Sequence, residues 1–250
     1  MILSQPVFLC NKYEHSVIFA KTITNLKRVN QLMNNTYSSL VEQTFNFPQD
    51  DFKLKNDYLQ YNDVDIKALI DKHGTPLKLT YLPKIGMQIN KAKKMFANAF
   101  KKHKYEGEYH YCYCTKSSHF SFIVEETLKH DAHIETSYAY DIDIINSLYK
   151  KRKISKDIHI VCNGFKQKNY TSRIVKLIND GFKNVIPVLD NKQELNMYKR
   201  NIRTGEPFKL GIRIAAEEEP SFPFYTSRLG IKAKDVLEFY VDEIEGYEDK

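Results

Sequence analysis

The stretch 108–120, EYHYCYCTKSSHF, carries the side chains best suited to chemistry. Strand side chains alternate faces, so a strand here sets His110, Cys112, Cys114 and Lys116 on one face and Tyr111, Tyr113 and Thr115 on the other. Lys116 then stands at the C-terminal end of that strand, above two small side chains. In a (β/α)₈ barrel that end holds the active site. A lysine held there and partly desolvated becomes nucleophilic and can form a Schiff base with a carbonyl. The same position also suits an ordinary solvated strand end.

His110, Cys112 and Cys114 invite a metal reading. A CxC on one strand face has no second pair at zinc-site spacing, and Cys162 falls on another strand, so no metal is expected. Cysteines two apart on one strand do not reach disulfide geometry, and these two are read as packed thiols. His119, His130, His133 and His159 show no nucleophile partner in any known spacing and receive no role.

These residues need a scaffold, and from about residue 85 onward the pattern supplies one. Residues 90–104 read as an amphipathic helix, with Met95, Phe96 and Phe100 on its apolar face. A strand-like run followed by a helix-like segment then recurs about every 25 residues. The runs are 110–115, 133–136, 158–162, 184–189 and 208–214. Helical faces follow: Phe120, Ile123, Val124 and Leu128 in 120–129; Ile142, Ile145 and Leu148 in 140–150; Ile174, Leu177 and Ile178 in 170–180. Gly181 offers a helix C-cap, and Asn191 with Glu194 fits a capping box. Strands alternating with helices imply a parallel sheet, either open and doubly wound or closed as a barrel. No GxGxxG or GxxxxGK[ST] follows any strand, which favours the barrel.

Residues 1–75 read differently. Residues 1–60 are rich in Asn, Gln, Tyr and Phe, with a helix expected over 22–33, and Gly74 and Pro76 punctuate a boundary. The expected organisation is an N-terminal α+β extension, 1–75, followed by part of a (β/α)₈ TIM barrel, 76–250.

Composition narrows the class. The chain has 250 residues, 42% hydrophobic and 28% charged, with 9 Gly and 8 Pro, which excludes long disordered or collagen-like tracts. No apolar run approaches the ~20 residues of a membrane span, and the first residues lack the basic n-region of a signal peptide. Four scattered cysteines make no disulfide framework and suit a cytoplasmic protein. A net charge of +7 raises the question of nucleic acid, but the lysines lie interspersed with acids, as on a solvated surface, and no nucleic-acid partner is expected.

Several segments in register resemble the pyridoxal-phosphate-dependent (PLP) basic amino acid decarboxylases of the alanine-racemase fold. YCTKSSHF resembles the family's Y-A-x-K-A-N lysine segment. SYAYDIDII resembles its serine and acidic turn, and IDKHGTPLKLTYLPKI the stretch leading into its barrel. IVCNGFK resembles its third-strand segment, and FKLGIRI with TSRLGI its G-x-R-x and S-[KR]-F-G pair. The likeness spans residues 70–232 and is strongest to the bacterial biosynthetic arginine decarboxylases.

The resemblance implies a PLP cofactor held covalently by Lys116. Ser137, Asp141 and Arg213 match polar positions near it, and Ser227, Arg228 and Gly230 match the pocket wall. It implies decarboxylation of a small-molecule amino acid, foremost L-arginine to agmatine and CO₂ in polyamine biosynthesis, by a homo-oligomer. Ornithine, diaminopimelate and carboxynorspermidine decarboxylases, or a non-catalytic PLP-binding protein of the same fold, stand as alternatives. The sequence departs from the family where SSHF follows the lysine and where SYAYD replaces S-G-G-E-L. The family's phosphate loop, the acid facing the pyridine nitrogen and the substrate-reading residues have no match here. About five of eight barrel units are therefore expected, in the front part of a longer enzyme that is inactive by itself. For Lys166 and Arg213 the plainer readings are a surface lysine and an arginine paired with the acids of 215–220.

Overall fold

The structure is a computed structural model, and it describes residues 51–56, 58–203, 208–215 and 229–246. The expected helix over 22–33, the acids of 216–220, Ser227 and Arg228 lie outside the described residues. The chain divides into two compact units, which meet in sequence between Tyr81 and Leu82.

In the first unit, strands β1 (Phe52–Lys55), β2 (Tyr58–Tyr61) and β3 (Val64–Asp65) form an antiparallel sheet in that order. Asp65 ends β3 and caps helix α1 (Ile66–His73), its carboxylate accepting the Ala68 amide at 3.0 Å. That bond satisfies one of the amides a helix start leaves unpaired. Tyr61 lies edge-on to both Phe52 and Tyr81.

The second unit opens with helix α2 (Pro83–His103), whose proline sits in the first turn, where no amide bond is lost. Its buried residues are Gly86 and Ile89. Met95 and Phe96, expected on a core face, are 63% and 44% exposed. The helix begins seven residues before the expected start at residue 90, and the added first turns carry the buried contact. Phe96 instead stacks on Tyr109 with ring centroids 4.0 Å apart.

Five strands follow, each parallel to the one before: β4 (Cys112–Cys114), β5 (His133–Thr136), β6 (His159–Cys162), β7 (Asn184–Leu189) and β8 (Gly211–Ile212). Their spatial order is their sequence order, with no reversal. The fold class is α/β with a parallel sheet, an arrangement compatible with part of a βα barrel. Helices α3 (Ser121–Leu128), α4 (Asp141–Lys150), α5 (Lys168–Asn179) and α6 (Glu194–Asn201) connect the strands.

After β8 the strand breaks at Arg213 and resumes as β9 (Ile214–Ala215), which pairs in parallel with β10 (Ile231–Lys232). Helix α7 (Ala233–Glu243) follows β10. The last helix thus belongs to a further strand that the sequence pattern did not separate from its neighbours. At two residues, β10 is too short for alternation to mark it.

The core lies between the sheet and its helices. Ile134, Thr136, Ile160, Cys162, Val185 and Leu189 are fully buried, and the apolar ones among them pack with Val124, Ile142, Ile145, Leu148, Ile174, Leu177 and Ile178. These are largely the faces expected from periodicity, although Phe120 is 44% exposed because it precedes the first turn of α3. Inside this layer the Thr136 hydroxyl bonds the Tyr170 hydroxyl at 2.7 Å, which satisfies both groups away from water. The alternate strand residues, His133, Glu135, His159, Val161, Asn184, Ile186 and Val188, are half-buried and form the second face of the sheet.

Candidate functional site at the C-terminal strand ends

Register decides which residues meet. Cys112 pairs with His133 and Cys114 with Glu135, so both thiols lie on the second face. Tyr113 packs into the helix layer, and its hydroxyl donates to the Ser118 carbonyl at 2.9 Å. Thr115 closes β4 against β5, its amide and hydroxyl donating to the Glu135 carbonyl at 3.0 and 3.1 Å. The next residue is Lys116, in a turn closed by the Ser117 amide on the Cys114 carbonyl. Lys116 therefore stands at the C-terminal end of β4, as its spacing implied. It is exposed rather than partly desolvated, because it sits in the turn beyond the ladder and not within the strand.

Ser137 follows β5 at the same end, its hydroxyl 3.9 Å from the Cys114 thiol. The Asp141 carboxylate accepts the Ser137 and Tyr138 amides at 2.8 and 3.0 Å. The acid thus holds the turn into α4, a first-turn position that also suits a negative charge at a helix start. After β6, Asn163 donates to the Glu135 carboxylate at 3.1 Å, and its side-chain carbonyl accepts the Gly164 amide at 2.8 Å. Gly164 has φ +81°, and a Cβ there would stand 2.8 Å from the Ser137 carbonyl oxygen, so only glycine lets the two loops approach.

Lys166 is the main correction to the sequence reading. Its side chain is fully buried, not at the surface. The ammonium donates to the carbonyls of Gly164, at 2.8 Å, and Val188, and lies 3.4 Å from the Glu194 carboxylate. Charge alone favours the surface, but here two carbonyls at strand ends and a carboxylate replace the water. Glu194 also accepts the Asp190 amide at 3.2 Å and the Asn191 side chain at 3.1 Å, while its own amide donates to Asn191 at 3.1 Å. This is the capping arrangement read from the sequence, with one partner exchanged. Burial pushes the Glu194 carboxyl up, and Lys166 pulls it partly back.

Arg213 sits in the break between β8 and β9. Its guanidinium lies 3.3 Å from the Asp190 carboxylate, which is almost completely buried. The arginine thus has a partner at the end of β7. The other Asp190 carboxylate oxygen is buried with no hydrogen-bond partner among the described residues. The Ile231 amide donates to the Arg213 carbonyl at 2.7 Å, and the Gly230 amide to the Asp190 carbonyl at 3.0 Å. Gly230, at φ +102°, leaves no room for a Cβ, which would meet the Ala215 nitrogen at 2.8 Å.

One end of the sheet thus gathers Lys116, Glu135, Ser137, Asn163, Lys166, Asp190, Glu194 and Arg213. Sequence reasoning placed Lys116, Ser137 and Arg213 there but missed Asp190 and Asn163. Each follows a strand directly, and that position is the signal that could have found them. No helix among the described residues is long and apolar enough to cross a membrane. No protein-family model matches this chain, and no curated protein matches it either.

Proposed function

We propose that the second unit is part of a (β/α)₈ barrel that binds PLP through Lys116 and decarboxylates a basic amino acid, L-arginine to agmatine and CO₂. One observation carries the reading: Lys116, Ser137 and Arg213 stand at the same C-terminal end of one parallel sheet, after β4, β5 and β8. The sequential strand order favours a barrel over a doubly wound sheet, in which the order reverses. Localisation in the cytoplasm and assembly as a homo-oligomer belong to the same reading.

The residues present fit such a group in one respect. The Lys116 amine is exposed at a strand end, where an aldehyde can reach it. When bound, PLP supplies an electron sink for the pair left on the α-carbon as CO₂ departs. The chain's own groups orient the site. Asp190 fixes the Arg213 guanidinium, which is suited to a planar anionic group such as a carboxylate or phosphate. Asp141 is occupied in holding the Ser137 turn and acts as a positioning residue. The buried Lys166–Glu194 pair holds the loops after β6 and β7 together from below.

Reduction of the PLP-treated chain with borohydride, followed by peptide mapping, is expected to place the label on Lys116, and Lys116→Ala is expected to lose it. A label confined to other lysines overturns the assignment. Release of labelled CO₂ from carboxyl-labelled arginine, ornithine, diaminopimelate and carboxynorspermidine, compared side by side, tests the substrate.

A further inference from the structure

We propose that His110, His133 and His159 form a binding site for a divalent transition metal of the zinc class at the N-terminal ends of β4, β5 and β6. This site is independent of the PLP reading. His133 and His159 are the first residues of β5 and β6, and His110 precedes β4 by two residues. Parallel register sets all three on the second face of the sheet, at the end opposite Lys116. One ring nitrogen from each lies within 4.8 Å of the other two. The ring centroids are 4.3 to 5.1 Å apart.

Three observations point to a metal rather than to plain packing. The first is the donor set itself, since imidazole suits zinc, nickel, cobalt and copper. Zn–N bonds of about 2.0–2.1 Å put tetrahedral ligand atoms roughly 3.3 Å apart. His110 Nδ1 and His133 Nε2 are already 3.2 Å apart. The second is that His159 Nδ1 is buried with no hydrogen-bond partner among the described residues, leaving a lone pair or a proton unmatched there. The third is that Glu108 lies 3.1 Å from His110 Nε2, so His110 turns its Nδ1 to the cluster in the carboxylate–histidine–metal manner.

The surroundings set the cost. Lys93 and Lys209 oppose a cation here, but Lys93 is held by the His130 and Asp131 carbonyls and Lys209 by the Asn184 side chain. Glu108 and Asp131 offset them. Without metal, the His159 amide donates to His133 Nδ1 at 3.2 Å. His133 then carries its proton on Nε2 and donates to His110 Nδ1, and His110 donates from Nε2 to Glu108. Ligation through His133 Nε2 moves that proton to Nδ1, and the His159 amide loses its acceptor. This exchange gives a signature that no packing role produces.

The test titrates the 250-residue chain with Co²⁺ and then Zn²⁺. The expected result is one equivalent of cobalt with four-coordinate d–d bands, displaced by zinc, and a shifted, faster-exchanging His159 amide in the zinc form by NMR. His110→Asn, on the exposed member, and His159→Asn are each expected to weaken binding more than about tenfold, and Glu108→Gln about tenfold. His119→Asn is expected to leave it unchanged. Absence of saturable binding, or binding that His110→Asn leaves intact, overturns the site. If His159→Asn does not fold, His110→Asn and the amide signal on the unaltered chain decide the matter.

Discussion

The two ends of the parallel sheet hold opposite kinds of chemistry, the N-terminal end at β4 to β6 and the C-terminal end after β6 to β8. At the N-terminal end, three imidazoles sit beside one another, and burial lowers the pKa of His133 and His159. At the C-terminal end, two cation–carboxylate pairs, Lys166–Glu194 and Arg213–Asp190, lie among bared strand carbonyls. The difference teaches how placement works. The histidines are positioned by the ladder, because His133 and His159 are strand residues. The charged groups are positioned by loops and caps, and the fixed carbonyls of Gly164 and Val188 make a buried ammonium tolerable.

The largest expected effect breaks the charged end. Lys166→Ala leaves the buried Glu194 carboxylate and two carbonyls without their cation, and is expected to destabilise the chain by about 3–5 kcal/mol in urea unfolding. The double variant Lys166→Met/Glu194→Gln is expected to lose less, since no buried charge remains. Equal losses would show that the lysine matters only for packing.

Next in size is Gly164→Ala. A left-handed backbone and a Cβ driven onto the Ser137 carbonyl are expected to cost about 2 kcal/mol. Gly74→Ala, also at positive φ but with no atom within 4 Å, is expected to cost less. The comparison isolates the loop contact from backbone strain.

The N-terminal end responds to pH instead. His133 ionises near 4 in the folded chain and near 6.5 when unfolded. Above 6.5 neither state is charged and the group contributes nothing. Between 6.5 and 4 the unfolded chain takes a proton the folded one refuses, so stability falls as pH falls through that window and levels off below it. Urea unfolding of metal-free chain across this range is expected to show the decline, and His133→Asn to flatten it. An unchanged slope in the variant would place acid sensitivity elsewhere.

The smallest expected effect concerns the two faces. Burial pushes the Cys162 thiol up to about 12, whereas Cys112 and Cys114 lie on the half-buried face. Iodoacetamide on folded protein is expected to modify Cys112 or Cys114 well before Cys162, read by mass spectrometry. Early loss of Cys162 would mean that the helix layer opens more readily than the second face.

Local pattern made much of this legible. The strands His133–Thr136 and Asn184–Leu189 match the expected runs residue for residue, and the apolar faces of α4 and α5 are the buried ones. Gly181, at positive φ, closes α5, with the Phe182 amide on the Leu177 carbonyl. Lys116 falls at a strand end for the same reason, since a period of two and a turn locate it without reference to any other strand. Met95 and Phe96 were misread because an apolar stripe fixes which residues share a face, not whether anything packs on it.

What the chain's order of residues determined by itself, then, is the alternation of strands and helices, their faces, the caps and the position of Lys116. These follow from the geometry of neighbouring residues along one backbone. Only the tertiary structure decided that residues 23 and 26 positions apart bring three imidazoles together, that Lys166 turns inward to the end of β7, and that Arg213 finds Asp190. Those juxtapositions depend on inter-strand register and on where buried carbonyls lie, and neither is encoded in the spacing of any single segment.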